Sequence, residues 1–214
     1  MTQDELLNRL YRIYAAVGAS TEFDMAKLPG RIIRDEKVVG VFQDFSGGLT
    51  EHELSNAAQS VIHNIASLHD HLKKWARSNG KDAGQVDTAC ANSLDLQIVR
   101  DLWDQDKHGG DRSDGGFSKR SPRLIEVRRQ MTLTTQSKAD SWVTMTLGPK
   151  GEPVIHGDGS AKAIITADVV DKNGQKLGNL FEIEERCVRA WESLLVDFGV
   201  ALPMNKRGPE SLSG

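Results

Sequence analysis

Thr50-Glu51-His52-Glu53-Leu54 opens the segment that decides the fold. Thr50 suits a helix N-cap, and Glu53, three residues on, suits the return bond of a capping box. The helix so opened extends to about Arg77. Along it Leu54, Ala58, Val61, Ile65, Leu68, Leu72 and Trp75 recur every three or four residues, an apolar stripe shaped to face a bundle neighbour. Asn79-Gly80 stops it. A second long helix is expected from about Asp87 to His108, ended by Gly109-Gly110. Its apolar residues, Cys90, Leu94, Leu96, Ile98, Val99, Leu102 and Trp103, cover more than one stripe and suggest a central helix buried on two sides. Together the two make a long helical hairpin.

Upstream, residues from about Asp4 to Val17 carry the same three-and-four spacing (Leu6, Leu7, Leu10, Ile13, Tyr14, Val17), with Thr2 or Asp4 as cap. Pro29-Gly30 breaks the chain. Residues 31–45 mix β-branched side chains with charges, and the pattern leaves strand and helix both open.

Downstream, residues 109–122 form a loop rich in Gly, Ser and charge, after which the period changes to two. Leu124 to Leu133, Ser141 to Leu147 and Ala161 to Val170 read as strands of a small antiparallel β-meander of three or four strands. Gly148-Pro149-Lys150-Gly151, Gly157-Asp158-Gly159 and Asp171-Lys172-Asn173-Gly174 read as its turns. Leu180, Ile183, Cys187, Val188, Trp191, Leu194, Leu195 and Phe198 mark a C-terminal amphipathic helix that would cover one sheet face. The expected fold is α+β, one domain over residues 1–202. Its parts are a helical bundle at 1–108, the loop at 109–122, the meander at 123–175 and the helix at 180–198, with a polar tail at 203–214.

Composition bounds the function classes. At 214 residues with 38% hydrophobic and 27% charged residues, the chain is globular in type. A net charge of −3 argues against a generally basic nucleic-acid coat. The two cysteines, Cys90 and Cys187, supply neither a disulfide framework nor the sulfur ligands of a zinc site. No stretch approaches the ~20 apolar residues of a membrane span. The acidic start, Met1-Thr-Gln-Asp-Glu, is unlike a signal peptide, so the expected location is cytoplasmic. Each of the four tryptophans (Trp75, Trp103, Trp142, Trp191) falls in a different element and reads as a packing anchor.

The residues suited to chemistry gather at the end of the second long helix. At ~100° per residue, Arg100, Asp104, Lys107 and His108 share one face beside a glycine pair. Arg and Lys can hold a phosphate or carboxylate, His can move a proton near neutral pH, and Asp can orient it. The same residues also suit a solvated helix C-terminus, which favours cations. On the preceding helix Asn64, Ser67 and His71 flank the apolar stripe, as a binding strip or a structural polar network. In an antiparallel hairpin His71 would meet the early part of the second helix, and His63 and Asn64 its end. No metal or other cofactor is expected. Glu-x-x-His pairs, His-Glu-x-x-His, Walker spacing, a complete calcium loop and Gly-x-Ser-x-Gly do not occur.

The run Ser67-Leu-His-Asp70-His71-Leu with Asn64, and the ending Arg100-Asp-Leu-Trp-Asp-Gln-Asp-Lys107-His108-Gly, resemble a group of uncharacterised bacterial proteins in which a short meander and a Trp-bearing helix follow. The helical half is similar to the HEPN superfamily, small bundles of toxin–antitoxin, phage-defence and RNA-processing systems. That resemblance implies a dimer and, in active members, metal-independent RNA cleavage by an Arg and a His at the dimer interface. Arg100 and His108 match those roles, separated by seven residues where the motif has four to six. The expected function is a non-catalytic helical interaction module, self-associating as a homodimer or bound to a protein partner. The alternative is a HEPN-like ribonuclease with Arg100 and His108 catalytic, Asp104 orienting, Lys107 holding phosphate, and RNA as partner.

Overall fold

Thr50 and Glu53 exchange the two bonds expected of them in a computed structural model that describes residues 1–19, 30–34, 39–43, 48–110, 114–149 and 152–202. The Glu53 N–H donates to Thr50 Oγ1 at 3.3 Å, and the Thr50 N–H to Glu53 Oε2 at 2.8 Å. They open helix α2 (Glu51–Ser78), which Asn79 caps. A second box starts α1 (Gln3–Ala19), where Thr2 and Glu5 bond reciprocally, so Thr2 rather than Asp4 is the cap. The open segment after Pro29 holds an antiparallel strand pair, β1 (Gly30–Arg34) and β2 (Val39–Gln43), registered Gly30↔Gln43 to Arg34↔Val39. Residues 35–38 and 44–45 of that segment lie outside the described residues, as do 111–113 of the loop, 150–151 of the expected turn and the expected tail, 203–214.

The second long helix is two. Helix α3 (Gly84–Ala91) ends at Asn92, and α4 (Leu94–His108) restarts with Ser93 as N-cap, its hydroxyl accepting from the Leu96 N–H at 3.3 Å. The break follows from Asn92-Ser93, side chains that compete with the backbone and favour caps. Gln97 crosses it, giving its amide to the Ala91 carbonyl at 2.7 Å. The central helix is therefore α2, which packs against α1, α3, α4 and the C-terminal helix α5 (Leu180–Asp197).

The fold is α+β, with antiparallel sheets throughout. Strand β3 (Arg123–Thr134) pairs along its length with β6 (Ser160–Val170), and β6 with β7 (Lys176–Asn179), giving sheet order β3-β6-β7. A bulge between Ile125 and Arg128, with Glu126 at φ 52°, bends β3. Between β3 and β6 the chain makes a separate hairpin, β4 (Val143–Leu147) with β5 (Pro153–Gly157). β5 and β7 are additions to the strands read from sequence, both short and next to glycine turns. Asn179 caps α5 by accepting the Phe181 N–H at 3.1 Å. Trp191, fully buried, crosses from α5 to α2 and donates to the Ile65 carbonyl at 3.2 Å. One core joins α1 to α5 with the inner face of β6. Trp75 and Trp191 anchor it, whereas Trp142 is 53% exposed. Among the described residues no helix is long and apolar enough to cross a membrane.

Candidate functional site

The face expected at the end of α4 separates into three local arrangements. His108, exposed, places Nε2 3.5 Å from Asp104 Oδ1 one turn back. Lys107 sits over the Trp103 ring, 5.2 Å from its centroid, and Trp103 Nε1 donates to His63 Nδ1 at 3.0 Å. His63 thus meets the end of α4, as antiparallel packing required. Arg100 turns elsewhere. Gly109, at φ 73°, closes the helix in the left-handed conformation that glycine adopts at little cost.

Arg100 is held by α2, α3 and the loop after α4. Its Nη1 lies 3.5 Å from His69 Nε2 and 3.4 Å from Cys90 Sγ, and its guanidinium carbon stands 4.0 Å from the Phe117 ring centroid. His69 is 4% exposed, with Nδ1 2.8 Å from Asp70 Oδ1 and Nε2 3.0 Å from Asp87 Oδ1. Lys73 Nζ binds the same Asp87 at 2.6 and 2.9 Å. That contact, with burial opposing it and His69 assisting, lowers the Asp87 pKa. The imidazole facing α3 and α4 is therefore His69, not His71. Positions 69 and 71 differ by roughly 200° of helix rotation. Placement of 69 beside Leu68, Leu72 and Trp75 in the apolar stripe was the signal available in the sequence.

His71 faces α1 instead, where it lines a cleft with Lys74, Arg9 and Arg12. Burial first, and then the Arg9 charge, lowers its pKa. Asn64, seven residues earlier on the same face, gives its amide to the Ser60 carbonyl of its own helix at 2.7 Å. Asn64 and His71 are thus not brought to Arg100, Asp104, Lys107 and His108.

Sequence reasoning missed Asp101, which is 2% exposed. Its carboxylate accepts the Phe117 N–H at 2.6 Å, the Ser118 N–H at 2.8 Å and the Ser118 hydroxyl at 2.5 Å. A Cβ on Gly116, φ 74°, would stand 2.2 Å from Asp101 Oδ1. The carboxylate ties the glycine loop to α4 and so sets Phe117 beside Arg100.

A further surface lies on the β4–β5 hairpin and the adjoining end of β3. By the strand register Trp142 and Val154 are exposed on one face of the hairpin and Leu147 on the other. That second face also carries the half-buried Val143, Met145 and Ile155, and Leu133 is exposed on β3. None belongs to the main core. The hairpin is rooted by Asp158, which accepts from the Ser141 hydroxyl at 2.9 Å and the Trp142 N–H at 3.0 Å and pairs with Lys138 at 2.5 Å. Gly157 and Gly159 lie so close to the Trp142 and Thr134 carbonyls, 2.2 and 2.5 Å from an added Cβ, that side chains would not fit. Among the described residues no group of three or more His, Cys, Asp or Glu is arranged to hold a metal ion.

No protein-family model, curated protein or solved structure matches this chain.

Proposed function

We propose that this chain is a non-catalytic, self-associating interaction module of the cytoplasm. Its contact surface is the β4–β5 arm with the adjoining end of β3. The observation that carries the reading is the placement of Trp142, Leu147 and Val154, exposed apolar side chains on the two faces of an arm outside the core, with Leu133 exposed on the adjoining end of β3. A two-stranded ribbon is marginal in water by itself. This one has both outer strand edges unpaired among the described residues. A second copy fits it best, because antiparallel pairing of one edge with itself is self-complementary about a two-fold axis. The Arg100 cluster supports the non-catalytic side, since its guanidinium is used to join α2, α3 and the glycine loop.

Sedimentation equilibrium of wild type and of the double variant Trp142→Ser, Leu147→Ser tests the proposal. A wild-type dimer at tens of micromolar that the variant converts to a folded monomer is the expected result. A monomeric wild type over that range, or an undiminished dimer in the variant, would overturn it.

The exposed His108, with Asp104 at 3.5 Å and Lys107 beside it, favours a second reading, metal-independent RNA cleavage at the end of α4. Cleavage assayed in EDTA with wild type and His108→Ala decides it. Equal cleavage by both, or none by either, excludes it.

A further inference from the structure

The cleft between α1 and α2 collects positive charge in a chain whose net charge is −3. It is an open cleft of ≈ 410 Å³ lined by Met1, by Glu5, Asn8, Arg9 and Arg12 from α1 and by His71 and Lys74 from α2. Some surface cations elsewhere pair with carboxylates, Lys73 with Asp87, Lys138 with Asp158, Lys176 with Asp168 and Arg186 with Asp95, while others, such as Lys81 and Lys172, form no such pair among the described residues. Arg9, Arg12 and Lys74 form no such pair among the described residues. Two acids adjoin these residues: Glu5 lines the cleft and the Asp70 charge acts on His71. Glu5 accepts the Thr2 N–H at 2.7 Å, and Asp70, behind His71, stands 2.8 Å from His69 Nδ1.

We infer that this cleft binds a small phosphate-bearing ligand, with Arg9, Arg12 and Lys74 supplying charge and His71 a donor. Three fixed cations against the Glu5 carboxylate, with Asp70 flanking His71, leave net positive charge that suits an anion. Two guanidinium forks suit the paired oxygens of a phosphate. The volume of this open cleft lies toward the lower end of the range for small-molecule sites, enough for a phosphate with a modest organic group. His71 sharpens the fit. Burial and Arg9 lower its pKa and Asp70 raises it, so a bound anion offsets the cationic neighbours and raises it again.

The test uses pyrophosphate as probe, by titration calorimetry, with the His71 ring followed by NMR across pH. Wild type should bind one equivalent, and the double variant Arg9→Gln, Lys74→Gln should bind at least tenfold more weakly. Lys81→Gln, a surface cation outside the cleft, should bind as wild type. The His71 titration should move to higher pH when pyrophosphate is added. No binding at millimolar pyrophosphate, equal weakening by Lys81→Gln, or a His71 titration unmoved at saturation would each overturn the assignment. Circular dichroism of the double variant ensures that lost binding is not lost fold.

Discussion

Asp101 Oδ2 accepts from both the N–H and the hydroxyl of Ser118, at 2.8 and 2.5 Å, across the turn that follows α4. With the Phe117 N–H on Oδ1, one buried carboxylate satisfies three donors of a glycine-rich loop. Removing it leaves those donors buried without an acceptor, a cost of ~1–3 kcal/mol for each group that water cannot reach. Asp101→Ala should therefore lower stability by about 2–4 kcal/mol in urea denaturation. Gly116→Ala should cost about 1–3 kcal/mol, from its left-handed backbone and the overlap with Asp101. A loss below ~0.5 kcal/mol in both would show that the loop is not held by this carboxylate.

Arg100 and His108, one face in sequence, should separate in experiment. Arg100→Ala removes the contacts to His69, Cys90 and Phe117 and should destabilise by about 1–3 kcal/mol. His108→Ala removes an exposed pair with Asp104 and should change stability by less than ~0.5 kcal/mol. Equal effects in thermal or urea unfolding would mean that the two act as one unit after all.

The residues that carried the fold in the sequence were those whose signal is local. Thr50 with Glu53, Asn79-Gly80 and Gly109 mark helix ends through hydrogen bonds within four residues, and they stand where the pattern put them. The period of two located β3, β4 and β6 within two residues at either end. What escaped was set by competition or by distance. The apolar spacing ran through Asn92-Ser93, where a cap wins over helix continuity. The β3–β6 pairing spans an inserted hairpin, and no local pattern encodes that register. The site fared similarly. A helical wheel put Arg100 with His108, but the long Arg100 side chain follows the packing of α2 and α3. Asp101 was passed over as one acid among many, because its three donors come from 16 and 17 residues away.

Asp158 should govern the arm. Its pKa is lowered to about 2, first by the Lys138 hydrogen bond and then by the Trp142 N–H. A carboxylate lowered in the folded state contributes stability that is present above its ordinary value near 3.8 and is lost as pH falls from there through about 2. Hydrogen exchange of the β4 and β5 amides should accelerate in Asp158→Ala while those of α2 stay protected. Uniform acceleration in both elements would instead place Asp158 in the global fold.

Glu184 gives the opposite pH dependence. It is 2% exposed on α5, and its Oε1 has no hydrogen-bond partner. Burial pushes its pKa well above the ordinary 4.5, so the folded protein holds a proton that the unfolded chain releases. The sign follows from proton counts. Below about pH 4.5 both states are protonated and the site costs nothing in charge. As pH rises above that value the unfolded state ionises first and is favoured, so stability falls until the folded carboxyl also ionises. Glu184→Gln keeps the shape and removes the titration. Urea midpoints should decline for wild type as pH rises above about 4.5, and decline less for the variant. The variant should be the more stable protein at the alkaline end. Parallel midpoint curves across that range would mean that the Glu184 carboxyl reaches water or a cation when it ionises.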